Sequence, residues 1–322
     1  MSQNVSISQI SRPSASRAQI VIAFAAVYVI WGSTYLTIHI ASETIPALLM
    51  SGARFVLAGL LLLGFSHRPG APRERLTLVH WRSALLIGGC LLLVGNGGVA
   101  WGEQYLPSGF VALIIATVPL WMAIFAPAFG GRWINWTAAA GIAIGLAGIF
   151  LLVRPGGNGA GHWQTLVVLL APILWAIGSL YARVAPSPKQ PLTAVAMEMI
   201  AGGILLTIAG VVNGELGRLH LASMSLASIA AFIYLVLIGA MVGYVAYIWL
   251  LHHVSVTAAS TYAFVNPVVA VFLGAIVLGE QVTPVTLVAA ALIVGAVVLL
   301  LIGQSRNTTP AVALEVPVRD VA

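Results

Sequence analysis

Aspartate is all but missing from this chain: Asp320, close to the C-terminus, is the only one. Charge of any kind is scarce, at 7% of residues, where soluble domains carry about 25%. With no aspartate in any apolar run, an intramembrane aspartyl protease is excluded, and without an HExxH pattern so is the common zinc-protease scheme. No GxxxxGK[ST] loop is present, so the chain hydrolyses no nucleotide itself. Cys90 is the only cysteine, which excludes an intramolecular disulfide and leaves the redox compartment open. His252-His253 is read as part of a short turn with no other ligand-type neighbours, so neither a metal nor another cofactor is expected.

What the chain has instead is apolar surface. Hydrophobic residues make up 60% of it, and mean hydropathy is strongly positive. Ten runs approach spanning length: 19–39, 46–66, 83–104, 107–129, 134–153, 163–183, 192–212, 227–250, 257–278 and 284–303. A helix of about 20 residues crosses the hydrocarbon core and satisfies its own backbone there. The expected fold is an all-α integral membrane bundle of ten helices with short links. Placing the N-terminus inside puts eleven Lys and Arg on the cytoplasmic side, leaving Arg154 and Arg218 outside and Arg54 within a span. That bias predicts cytoplasmic termini. It also assigns the net charge of +6 to topology, so nucleic acid is not expected as a partner. Residues 1–18 and 304–322 read as cytoplasmic tails, the second disordered, and the first span is too long and too aromatic for a cleaved signal peptide. The acceptor patterns at Asn135 and Asn307 fall on the cytoplasmic side and are read as chance.

A faint repeat runs through the chain. Shifting Val94–Pro119 by 148 positions lays it without a gap on Val242–Pro267, so that Val94, Gly95, Trp101 and Pro119 meet Val242, Gly243, Trp249 and Pro267. Trp31-Gly32-Ser33-Thr34-Tyr35 pairs in the same way with Trp175 to Tyr181 if two residues slip, and Arg54 to Gly59 with Glu198 to Gly203. Five spans per half is an odd number, so residues 19–153 and 163–303 are expected to form two repeats of opposite topology, with a solute site near the midplane where they meet.

IWGSTY at 30–35, GARF at 52–55, VGNGG at 94–98, IATVPL at 115–120, GIAIGLAGI at 141–149 and YAFVNPVVAVFLGAIVLGE at 262–280 carry a family resemblance. Over all ten runs the chain resembles the drug/metabolite transporter superfamily, EamA-domain branch. The resemblance implies two EamA units, a bacterial inner-membrane location and export of small metabolites or drug-like solutes. Leu278-Gly279-Glu280 departs from symmetry, because the matching place in the first half reads Gly130-Gly131-Arg132; Glu280 is read as structural.

Intramembrane charges are costly, by about 2.5–3.5 kcal/mol on insertion scales, and point to function. Arg54 and Glu198 sit at corresponding places in the second and seventh runs. They are expected to pair or to set the charge of a cavity, and Glu198 is the candidate for proton coupling. On the first run Tyr28, Gly32, Tyr35 and His39 share one helical face; the two tyrosines are candidates for lining a path, and His39 for the interface. Gly95-Asn96-Gly97-Gly98 predicts either close helix contact or local unwinding, with Gly97 a hinge candidate and Asn96 a cavity candidate. Glu103, seven residues on, is placed at the outer mouth. Pro119 beside Thr117, and Pro267 beside Tyr262 and Asn266, are expected to kink their helices next to the cavity; Tyr244 and Tyr247 share one helical face and fall opposite Asn96 and Val99 in the repeat. Gly141, Gly145 and Gly148 form a packing ridge, which a second subunit of a homodimer could share.

These features favour a secondary transporter of a small solute in the bilayer. The competing class is an intramembrane enzyme acting on lipid or peptide. A sensor or scaffold fits poorly with ten spans and no soluble signalling domain.

Overall fold

The computed structural model describes residues 15–66, 68, 74–130, 133, 135–153, 163–253 and 262–305. Arg132, the pattern at Asn307 and most of both tails lie outside the described residues. Among the described residues all regular structure is helical. Seven helices are long and apolar enough to cross a membrane, and the stretches Trp136–Leu151, Val265–Leu278 and Pro284–Leu299 form shorter apolar ones.

In chain order α1 is Arg17–Ser42, α2 Ala47–Ser66, α3 Leu78–Gly102, α4 Ser108–Phe129, α5 Trp136–Val153, α6 Gln164–Ala182 and α7 Pro191–Val212. Next, α8 is made of the consecutive pieces Leu226–Tyr234, Leu235–Val242 and Gly243–His253; α9 is Tyr262–Leu278 and α10 Pro284–Ser305. His253 therefore belongs to the last turn of α8 rather than to a turn between helices, and its ring stacks on Trp249.

Local chemistry fixes several helix starts. Ser16 and Thr77 head capping boxes with Gln19 and His80, and the Ser225 hydroxyl accepts from the Ser228 amide. Such caps satisfy amide donors that have no partner inside the helix. Thr283 accepts from the Thr286 amide with Pro284 at the first helical position, where a missing N–H costs nothing. Asn135 caps α5 by accepting from the Ala138 amide at 2.8 Å, and its side-chain amide donates to the Gly303 carbonyl, also at 2.8 Å. Its acceptor-like pattern thus has a structural use.

Two carboxylates outside the helices hold others together. Glu280 accepts from the amides of Ser108 and Gly109 at 2.8 and 3.2 Å, and Glu215 from those of Leu48 and Leu49 at 3.0 and 2.9 Å. Each places negative charge at the positive end of a helix, α4 and α2 respectively. The expected structural role of Glu280 is thereby explained. Glu215, fully buried, has the same role without a sequence pattern to reveal it.

Packing follows the repeat. The most extensive contacts are α2 on α7 and α5 on α10, which are counterparts in the two halves; α1 on α9 is mirrored by α6 on α4, and α1 on α8 by α6 on α3. Exchanging the halves therefore preserves the partners. Gly52 and Gly203 let α2 and α7 touch backbone to backbone: a Cβ on Gly203 would lie 2.8 Å from the Val56 amide nitrogen and 2.9 Å from the Gly52 carbonyl oxygen. Small residues permit such an approach. The glycine ridge of α5 is buried within the chain, with Gly148 against Ile293 of α10 and Gly145 against Leu120 and Ala296. A homodimer would need a different surface.

Candidate functional site

A cavity of about 280 Å³ lies between the halves, close to the lower end of the roughly 300–1,000 Å³ usual for small-molecule sites. Residues of α1, α2, α3, α4, α6, α8 and α9 line it, while among the described residues α5, α7 and α10 contribute none. It extends from Ile38 and Ala112 to Ala126, Tyr262 and Arg183, so it reaches the end of the bundle where α4 and α6 finish and α9 begins. Beyond its other end the chain is closed by the two Glu280 hydrogen bonds and by a contact of 3.0 Å between His39 Nδ1 and the Glu103 carbonyl.

Irregular backbone shapes the wall. In α3 the stretch Gly89–Asn96 widens to π-helical geometry, and in α8 so does Leu235–Val242. These insertions are counterparts in the repeat, two residues off the 148-residue shift. Widened turns of this kind often mark functional places. Here one of them ends at Asn96, whose side-chain amide donates to the Leu91 carbonyl at 3.3 Å. The other ends just ahead of Tyr244. The glycine run stays helical and serves close helix contact: a Cβ on Gly95 would lie 2.7 Å from the Trp175 ring, and one on Gly97 2.7 Å from Leu206.

In α4 the helix breaks at Ala116–Thr117 and restarts with Pro119 in its first turn. Proline has no N–H for the Ile115 carbonyl one turn earlier, and Ile115, Ala116 and Pro119 all line the cavity. The Thr117 side chain does not; it is fully buried and donates to the Ile114 carbonyl at 2.6 Å. Pro267 lies inside α9 and lines the cavity together with Tyr262 and Asn266.

The structure brings Tyr35, Asn96, Tyr244, Tyr247, Tyr262 and Asn266 to the cavity wall with Arg54 and both prolines. Tyr28, Thr117, Glu198 and Gly97 are outside it, Tyr28 resting against Phe24 with ring centroids 5.6 Å apart. Trp31, Trp175 and Arg183 line the wall without having been singled out from sequence. For the tryptophans the signal was present, since they are each other's counterparts in the repeat.

Trp31 is the centre of an aromatic cluster. Its ring centroid is 5.0 Å from Tyr262, 5.1 Å from Tyr247 and 5.4 Å from Tyr244, and Tyr247 and Tyr262 are 5.6 Å apart. Tilted and edge-to-face arrangements at these distances are favourable. Gly243 makes room, because a Cβ there would lie 2.5 Å from the Trp31 indole nitrogen.

Arg54 is 3% exposed. One terminal nitrogen donates to Asn96 Oδ1 at 3.2 Å, and the guanidinium carbon lies 4.3 Å from the centre of the Phe55 ring. The expected pair with Glu198 does not form: among the described residues the one ion pair within 4.0 Å is Arg218 with Glu215. The helical period explains why. On α2 the residues that meet α7 are Leu49, Gly52, Val56 and Gly59, and on α7 they are Ala196, Ile200, Gly203, Thr207 and Gly210. Arg54 and Glu198 each lie two residues from a contact position, about 200° around a helix with 3.6 residues per turn. Both therefore turn away from the interface, although their helices pack face to face.

Apolar helices surrounding a cavity with a buried cation and a ring cluster define a multi-pass integral membrane protein with an internal cavity. The sequence pattern of the EamA-like transporter family matches residues 18–154 and again 162–302, and the chain belongs to that family. The chain is 43% identical over 286 residues to the inner membrane transporter YedA of Escherichia coli (strain K12), covering 88% of this chain and 90% of that one. A chloroplastic WAT1-related protein of Arabidopsis thaliana is 28% identical over 279 residues, covering 84% of this chain and 66% of that one. A solved crystal structure shares the fold with a TM-score of 0.60 at 18% identity, over 91% of this chain and all of the other. Like YedA, the chain is an integral protein of the bacterial inner membrane.

Proposed function

We propose that the protein is a secondary transporter, exporting small metabolites or drug-like solutes by alternating access between two inverted repeats of five helices. The supporting observation is that counterpart residues of the two halves line one cavity: Trp31 with Trp175, Asn96 with Tyr244, Val99 with Tyr247, and Pro119 with Pro267. A site shared by two repeats is what rocking of one against the other requires. With both termini in the cytoplasm, as the distribution of Lys and Arg favours, the cavity reaches the cytoplasmic face and the periplasmic end is closed. Purified protein in liposomes tests this. Solute flux without lipid or peptide turnover is expected, whereas turnover without flux would establish an intramembrane enzyme instead.

Glu198 is the proposed coupling residue. It is partly buried and free of Arg54, so a proton can be gained or lost without breaking an ion pair. Glu198→Gln is expected to remove the dependence of flux on a pH gradient; unchanged dependence would reject the role.

A further inference from the structure

The charge of the cavity wall is one-sided. Arg54 and Arg183 line it, and among the described residues no aspartate or glutamate does. Arginine keeps its charge in a protein. Arg54, itself 3% exposed, meets the Phe55 ring and makes a single hydrogen bond, to a neutral amide; its Nε has no partner, and no carboxylate oxygen lies within 4.0 Å among the described residues.

None of the nearby carboxylates comes within 4.0 Å of Arg54 among the described residues. Glu280 is bound to the start of α4. Glu198 turns away from α2. Glu103, toward the closed end, interacts with Arg54 electrostatically without touching it; it is 1% exposed and neither of its carboxylate oxygens has a hydrogen-bond partner, a place where an ionised carboxylate is costly and a neutral acid is the form favoured. A buried cation without a counter-ion is also costly.

A second observation is independent of the first. The cluster of Trp31, Tyr244, Tyr247 and Tyr262 offers ring faces and edges in the same cavity as the Arg54 guanidinium. Ring surfaces hold flat apolar bodies, and a guanidinium fork matches a carboxylate through two parallel hydrogen bonds.

We infer that the cavity binds an organic anion, a carboxylate attached to an aromatic body, with the carboxylate on Arg54 and the ring in the Trp31–Tyr262 cluster. This deepens the transporter reading and rests on it. A plain aromatic acid and an aromatic amino acid present the same carboxylate, so the probes must separate them.

The experiment is equilibrium binding to the purified full chain in detergent, by calorimetry, of indole-3-acetate, tryptophan and tryptamine, which share a ring and differ in charge. Indole-3-acetate is expected to bind and tryptamine to bind at least about tenfold more weakly, the order expected from a charge-assisted hydrogen bond. Tryptophan binding as tightly as the acid would support the proposal and identify a zwitterion as the source of the carboxylate. Tryptophan binding weakly beside a tight acid would support it with a plain anion as the source. Tryptamine binding as tightly as the acid, or no binding of either carboxylate, would overturn it. Arg54→Gln is expected to lose the preference for the acid, and Arg54→Lys, which keeps charge but not the fork, to retain part of it; a preference unchanged in folded Arg54→Gln would reject Arg54 as the anion site. The comparison of acid with amine on the unaltered protein decides the question even if a variant misfolds. Binding needs no flux, so flux of some solute without carboxylate binding would reject the anion and keep the transporter, while binding without flux would do the reverse.

Discussion

At the scale of single residues, two charged side chains drew attention in the sequence and the structure separates their roles. Arg54 faces the cavity; Glu198 does not. A charge swap of the two, Arg54→Glu with Glu198→Arg, is therefore expected to show losses of flux that add, with no rescue in the double variant, since uncoupled sites behave additively. Recovery in the double variant would show that they meet during the cycle. Glu280 makes the opposite case, a carboxylate whose work is structural. Removing it with Glu280→Ala strands the Ser108 and Gly109 amides at the start of α4. A loss of about 1–3 kcal/mol of stability is expected, read as a lower unfolding temperature in detergent. Glu280→Gln, which keeps an acceptor, should lose less.

At the scale of helices, the apolar runs were plain in the sequence because lipid leaves the backbone few alternatives. The proline positions in α4 and α9 were plain for the same reason that proline is disruptive anywhere. The π-helical turns ending at Asn96 and Val242 were not legible, because one inserted residue changes the hydrogen-bond register without changing apolar periodicity enough to notice. Nor was the direction of Arg54, which depends on which stripe of α2 meets α7. Gly52 settles that stripe. Gly52→Val is expected to force α2 from α7, since even a Cβ at that place meets Thr207 and lies 2.9 Å from the Gly203 carbonyl oxygen; the cost of overpacking is about 1–3 kcal/mol. Gly64, on the same helix, has nothing within 4 Å of the corresponding point. Gly64→Ala should leave stability unchanged or raise it by up to about 1 kcal/mol. Thermal unfolding of the two variants side by side checks both.

At the scale of the whole molecule, the repeat foretold which halves would meet but not how unequal their contributions would be. Four identities between Val94–Pro119 and its counterpart were enough to place Pro119 and Pro267 on one cavity. They could not show that α2 supplies Arg54 and Phe55 to the wall while its counterpart α7 supplies nothing, because the faces of equivalent helices diverge once their side chains do. The cavity extends to Ala126, near the end of α4. In a Cys90→Ser background, Ala126→Cys is expected to react with a membrane-impermeant thiol reagent from the cytoplasmic side and to be protected from the periplasmic side. Labelling with the reverse preference would invert the topology.

Two capping carboxylates reach from the second half of the chain to the first. Glu215 and Glu280 belong to the second half of the chain, and the helix starts they satisfy, at Leu48–Leu49 and Ser108–Gly109, belong to the first. During synthesis the first half therefore enters the bilayer with two helix starts uncapped, and they are completed only when residues more than a hundred positions downstream arrive. These four hydrogen bonds make two helix starts of the N-terminal half depend on side chains of the C-terminal half. Were the gene divided between the repeats, the first piece made alone would be the one left unfinished.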